Sequence, residues 1–259
     1  MAEKLRNGKI VTVWNQKGGV GKTTTAVNLA AGLNLAGYRT LLVDFDPQAN
    51  ATSAYGIPKS VKNDIFSVLD GRCTVLESVI ETRYGDLLPS GLDLAGAEVA
   101  LVGREDRENV LKLILDPLRE RYDYILIDPP PSLTLLTINV LSASDSVLIP
   151  LQCEYFALEG LSMLVSTVKN VKKRINPNLE IEGILFTMYD GRTNLSGQVV
   201  REVKNFFPKK IYKTVIARSV KLSEAQSHGR PIQFYDKHSR GSECYTDLTN
   251  EFIKRASLN

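Results

Sequence analysis

Residues 15–25 read NQKGGVGKTTT, with glycines at 18, 19 and 21 ahead of Lys22, Thr23 and Thr24. Those residue types in that order can hold a polyphosphate. Glycines let backbone N–H groups come close to phosphate oxygens, a helix opening at the lysine adds its positive dipole end, and Lys22 supplies a cation for the β- and γ-phosphates. Gly18, Gly19, Val20, Gly21, Lys22, Thr23 and Thr24 are the expected nucleotide contacts, with the Thr23 hydroxyl placed to coordinate Mg²⁺. Two apolar runs end on carboxylates. VDFDPQAN, residues 43–50, contributes Asp44 and Asp46, and ILID, residues 125–128, contributes Asp128. A strand-end carboxylate beside a phosphate loop suits a metal ion or its water, so Asp128 joins Thr23 as a candidate for Mg²⁺, with Asp44 as the open alternative. No nucleophilic pair competes, because His228 and His238 are the only histidines and both fall in a polar C-terminal region. Phosphoryl transfer to water needs positioning and charge stabilisation more than covalent help.

The elements that must carry these residues are legible as a βαβ rhythm. Short β-branched runs at 10–14, 40–43, 124–127, 147–151, 181–188 and 211–216 are apolar at successive positions. That pattern fits parallel strands covered on both faces. Helical patterns at 23–36, 160–174 and 196–207 alternate with them, the second placing Leu161, Leu164, Val165, Val168 and Val171 on one face. The third is expected to bury Val199, Val200, Val203, Phe206 and Phe207 before Pro208 stops it. Residues 52–120 are the least regular and are expected to form a helical excursion. With no repeat or Ser/Gly linker, the expectation is one doubly wound α/β domain over residues 1–259, its mostly parallel sheet flanked by helices on both faces.

Composition narrows the function classes. The 259 residues are 43% hydrophobic and 24% charged, with no apolar stretch near the eighteen residues a membrane span needs. MAEKLRNGK has no apolar core of a signal peptide, so a cytoplasmic protein is expected. Cys73, Cys153 and Cys244 form no CxxC pair and read as three buried reduced thiols. Net charge is only +3, but residues 161–221 hold 12 basic and 4 acidic side chains. Such a block can present positive charge to a polyanion.

Taken together, KGGVGKT, VDFDPQAN, ILIDPPPSL (125–133), IPLQCEYFALEGL (149–161), MYDGRTNL (188–195), YKTVIARSVKLSEAQSHGRPI (212–232) and YDKHSRG (235–241) resemble the deviant Walker A ATPases of the ParA/Soj partitioning type. Gln16 stands where an ordinary P-loop has its first glycine, and Lys17 is the additional lysine. The resemblance implies a P-loop NTPase fold and an ATP-bound sandwich homodimer in which Lys17 reaches the partner's phosphates. It implies Asp46 as the carboxylate orienting the attacking water, with Asp44 as its structural neighbour, and Met188 and Ala217 at the adenine. It further implies non-specific double-stranded DNA binding through Arg192, Arg218 and Lys221, with Arg201, Lys204, Lys209 and Lys210 extending the patch. A ParB-like centromere-binding protein is the implied activator, and nucleoid association the implied location. Two positions depart from the family: Pro129 follows the Asp128 carboxylate, and Ala217 replaces the usual proline before Arg218. Alternatives on the same fold are a MinD-like membrane-cycling ATPase and a metabolic ATP-dependent enzyme. The first needs a basic amphipathic tail, and the tail from Ser242 places Tyr245, Leu248, Phe252 and Ala256 on one face opposite mixed charges. A helix-turn-helix regulator does not fit the nine residues that precede the first strand.

Overall fold

A computed structural model describes residues 7–257. Seven strands form one sheet: β1 (Lys9–Val13), β2 (Thr40–Asp44), β3 (Asp86–Leu88), β4 (Tyr124–Asp128), β5 (Ser146–Gln152), β6 (Glu180–Tyr189) and β7 (Ile211–Ala217). Their order is β3-β2-β4-β1-β5-β6-β7, and every neighbouring pair is parallel. Six strands coincide with the apolar runs of the sequence. The seventh, β3, is three residues long and lies within the 52–120 excursion, which otherwise consists of short helical turns such as Ile65–Leu69, Ala97–Val102 and Val110–Leu115.

The strands are apolar throughout because successive residues enter different cores. Val11, Val13, Leu42, Leu126 and Leu148 pack with the helices Lys22–Leu35 and Arg240–Ala256. Ile10, Leu41, Val43, Ile125 and Ile127 pack on the other face with Leu136 and Val140 of the helix Leu135–Ala143. A third cluster joins Val147, Ile149 and Leu151 of β5 to the five expected apolar residues of the helix Ala157–Arg174. Each such side chain contributes ~1.5–3 kcal/mol of burial, so the sheet is held from both sides.

Two expectations are corrected. In the helix Asn194–Phe206, Val199 and Val203 are buried, but Phe206 is 72% exposed. The helix ends at Phe207 (φ −132°, ψ 54°), and Phe207, not Phe206, takes the half-buried position against the third cluster. Of the cysteines only Cys244 is buried, Cys73 and Cys153 being half-buried. The apolar face of the C-terminal helix is core: Tyr245, Leu248 and Phe252 are buried, and Glu251 accepts the backbone N–H groups of Lys213 and Thr214 at 2.8 Å each. Among the described residues, no helix is long and apolar enough to cross a membrane.

Candidate functional site

β1 lies between β4 and β5, where the order of the sheet reverses, and open α/β sheets offer a crevice at that point. The glycine-rich loop fills it. Gly19 and Gly21 have φ of +72° and +86°, a region L side chains avoid, and a Cβ on Gly18 or Gly19 would meet nothing within 4 Å. The loop is therefore built for close approach of a ligand. It is pinned from outside by Thr187, whose hydroxyl donates to the Val20 carbonyl at 2.8 Å, and by Gln152, whose amide donates to the Gly19 carbonyl at 3.0 Å. Gly21 is the N-cap of the helix Lys22–Leu35, and no side chain caps it. Its leading N–H groups are left for an anion.

A cavity of about 630 Å³ opens over the loop, lined by Gly18, Gly19, Gly21, Lys22, Thr23 and Thr24 together with Asp46, Gln48, Asn50, Ser53, Pro131, Met188, Ser223, Gln226 and Ser227. A second, of about 200 Å³, adjoins it through Gly21, Thr24, Met188 and Ser223 and is walled by residues 216–219, Thr187, Leu222 and Tyr245. The larger suits a polyphosphate and the smaller a flat ring. Met188 belongs to both walls and holds φ +48°, a left-handed backbone rare outside glycine. Local strain of that kind concentrates at ligand sites.

The charges around the loop are arranged in depth. Lys22 is buried, its Nζ donating to the Lys17 carbonyl at 2.9 Å; burial lowers its pKa, and Asp128 and Asp46 oppose the shift. Asp128 is fully buried, and among the described residues neither carboxylate oxygen has a hydrogen-bond partner. Burial first and the Asp44 charge second push its pKa well above the usual carboxylate range, and the nearby Thr23 hydroxyl only tempers the rise. Asp44 and Asp128 are register partners across β2 and β4, which sets their side chains on one face of the sheet. They differ in satisfaction. Asp44 accepts the Thr52 N–H and hydroxyl at 2.7 Å each and the Asp46 N–H at 3.2 Å, and burial pushes its pKa up to about 6. It is the brace that holds the helix Asn50–Ala54 against the sheet. Asp46, beyond the end of β2, lines the cavity and accepts the Gln48 N–H at 2.9 Å.

Most residues nominated from the sequence converge here, with Ala217 in the smaller cavity and Asp128 behind Lys22 and Thr23. Two loop residues do not line the larger cavity. Val20 is buried beneath the loop, and the Lys17 side chain forms an ion pair with Glu154 at the edge of a separate hollow. The basic candidates stay on the surface: Arg192 is bound bidentate by Asp190 at 2.7 and 2.9 Å, and Lys221 is bound by Glu224 at 2.7 Å. Arg218, Arg201 and Lys204 are exposed and make no ion pair among the described residues. Sequence reasoning missed Ser223, Gln226 and Ser227. Gln226 donates to the Thr24 hydroxyl at 3.1 Å from 202 residues away, and no local spacing could signal it.

Comparison with known proteins agrees with this geometry. Residues 8–181 match the family described as an AAA domain. The chain is 56% identical over 247 residues to the sporulation initiation inhibitor protein Soj of Bacillus subtilis (strain 168), covering 94% of this chain and 98% of that one. It is 50% identical over 250 residues to the chromosome-partitioning ATPase Soj of Treponema pallidum (strain Nichols), covering 96% and 98%. Among solved structures, cobyrinic acid a,c-diamide synthase from Mycobacterium smegmatis with bound ADP and magnesium aligns with a TM-score of 0.84 at 34% identity, covering 96% of each chain. With half or more of its residues shared with these partitioning proteins along nearly its whole length, the chain belongs to the ParA/Soj family of partitioning ATPases.

Proposed function

We propose that the chain, working as one ATPase unit over residues 1–259, is an ATP-driven switch for DNA segregation. ATP binding pairs two copies as a sandwich, the pair holds double-stranded DNA without sequence preference, and slow hydrolysis stimulated by a ParB-like partner releases it. The observation that carries this reading is the shared wiring of two stretches. Residues 188–192 begin on the wall of both cavities and end on Arg192, and residues 217–221 begin on the smaller cavity and end on Lys221. Nucleotide and polyanion would be read by the same two segments.

The residues present fit ATP with magnesium. Asp128, buried with two unpartnered oxygens, and Thr23 beside it would hold the ion, which when bound neutralises phosphate charge. Lys22 would bind the β- and γ-phosphates in its own subunit, and Asp46 at the cavity wall would orient the attacking water. Lys17, exposed and ion-paired only with Glu154 among the described residues, would exchange that partner for the phosphates of the second subunit. With no arginine among the described residues that line the larger cavity, the protein alone should turn over slowly, on the order of 10⁻⁴ to 10⁻² per second. A basal rate of many per second would favour the metabolic reading that the diamide synthase likeness raises.

Fluorescence anisotropy with duplex DNA at several salt concentrations tests the switch. Each phosphate neutralised adds ~0.9 to the slope of log K against log salt, so an ATP-bound pair should show roughly twice the slope of the monomer. Arg218→Glu should weaken binding to all sequences alike. Equal affinity with ATP and with ADP would remove the reading's central support. Cytoplasmic residence with nucleoid association follows from DNA retention and is checked by imaging a tagged chain.

A further inference from the structure

Asp46 is anchored by a residue 44 positions further along the chain. β3 pairs with β2 in parallel register, Leu41 with Asp86, Leu42 with Leu87 and Val43 with Leu88. The chain leaving β3 therefore runs beside the chain leaving β2, which brings Ser90 next to Asp46. Ser90 is fully buried there. Its hydroxyl donates to the Asp46 carbonyl at 2.8 Å, and its N–H donates to the Thr52 hydroxyl at 2.9 Å. Thr52 donates that hydroxyl to Asp44, whose carboxylate also accepts the Asp46 N–H. Asp46, Asp44, Thr52 and Ser90 thus close a buried ring of four hydrogen bonds. The backbone on both sides of the Asp46 Cα is held, the N–H by Asp44 and the carbonyl by Ser90. The same carbonyl accepts the Ala49 N–H at 2.8 Å, which closes the turn that carries the Asp46 side chain to the larger cavity.

We infer that Ser90 is a positioning residue for hydrolysis, acting through Asp46 and not on the nucleotide. The inference rests on the reading of Asp46 as the group that orients the attacking water, and adds what fixes that group. A carboxylate that orients water works only when held near one position, and a displacement of about 1 Å can cost ~100-fold in rate. Among the described residues the Asp46 carboxylate accepts a hydrogen bond only from Gln48, within its own turn. It therefore follows the turn, and the turn follows its anchors. Ser90 lines neither cavity, so its loss leaves the nucleotide's contacts in place while it frees the carbonyl side of Asp46. Ser90 is itself held from behind, because the Pro89 carbonyl accepts the Ile65 N–H at 2.9 Å. The excursion between β2 and β4 thereby takes part in the chemistry by returning one hydroxyl to Asp46.

The experiment uses the full chain. Single-turnover assays with labelled ATP and magnesium give the rate, calorimetry with a non-hydrolysable ATP analogue gives affinity, and hydrogen–deuterium exchange without nucleotide follows the amides of residues 46–49. Ser90→Ala should slow hydrolysis ~10- to 100-fold while the analogue's Kd stays within about twofold of wild type. Its 46–49 amides should exchange at least ~5-fold faster, since the turn opens more often. Ser90→Cys keeps nearly the size and offers only a weak S–H donor, so it folds where the alanine variant does not and should lose rate in the same direction. Ser144→Ala is the matched control. Ser144 is also buried, its hydroxyl donates to the Val140 carbonyl at 2.7 Å, and it precedes β5 at the opposite end of the sheet. That variant should leave both the rate and the 46–49 exchange unchanged. Undiminished hydrolysis by Asp46→Ala would end the water-orienting reading and this inference with it. With Asp46→Ala inactive, four results overturn the Ser90 assignment alone: wild-type turnover in either serine-90 variant, wild-type exchange in Ser90→Ala, an affinity loss that matches its rate loss, or an equal rate loss in Ser144→Ala.

Discussion

Replacing Asp128 by asparagine separates a carboxylate kept for a cation from one kept for stability. Its side chain is fully buried at the end of β4, both oxygens lack hydrogen-bond partners among the described residues, and Asp44 stands beside it in register. A buried polar group without a partner costs ~1–3 kcal/mol, more when charged. Asp128→Asn removes the ionisable carboxyl, and with it the repulsion from Asp44, at nearly equal size. Part of the gain is lost, since the amide is also unpartnered and Lys22 loses a carboxylate that supports its charge. A net stabilisation of about 2 kcal/mol without ligand is the reasonable sum. In a domain of this size 1 kcal/mol moves Tm by ~2–4 °C, so the variant should melt ~4–8 °C higher. With nucleotide and magnesium the sign reverses. Ligand at a hundred times Kd stabilises the wild type by ~2.7 kcal/mol, and the variant should lose most of the part that requires magnesium. Scanning calorimetry without ligand, with an ATP analogue, and with analogue plus magnesium reads all three states. A variant that melts below the wild type without ligand, or that gains as much from magnesium, refutes the assignment.

The two loop lysines should separate by position: Lys22→Ala, at the buried one, should cost nucleotide affinity at least ~100-fold, whereas Lys17→Ala should chiefly lose pairing. Calorimetry run beside light scattering reads both, and equal losses in the two variants would defeat the division of labour. Glu224→Gln releases Lys221 from its ion pair and should tighten DNA binding, steepening the salt slope by up to ~0.9 per subunit. An unchanged slope would mean that Lys221 does not reach phosphate. Gly229→Ala places a Cβ 2.6 Å from the Gly56 Cα at φ +61°, and backbone cannot give way as a side chain can. A loss of about 2–4 kcal/mol is expected in urea unfolding, and a midpoint equal to the wild type's would show that the 56–229 contact is loose.

What the sequence could reveal depended on how far apart the cooperating residues stand. The phosphate loop is readable because strand, glycines, lysine and helix follow one another along the backbone, and each acts through its own place in that order. The strands are readable because both faces are covered, which turns residues such as Ile10, Val11 and Val13 into unbroken apolar runs. β3 is too short to show a period, and the exposure of Phe206 follows from where its helix unwinds, which periodicity does not encode. Asp44 and Asp46 look interchangeable two residues apart. Thr52 decides between them by folding back onto Asp44, which leaves Asp46 free at the cavity wall. The basic block shows the same limit more sharply. Counting charge over residues 161–221 treats Arg192 and Lys221 as equal to Arg218, yet Asp190 and Glu224 hold the first two in ion pairs and Arg218 has none among the described residues. Both pairing carboxylates lie within two residues of a cavity-lining residue, Asp190 after Met188 and Glu224 beside Ser223 and Gln226. A count of charges therefore measures the most the DNA surface can offer, and the ion pairs beside the nucleotide cavity set how much of it is offered at a given moment.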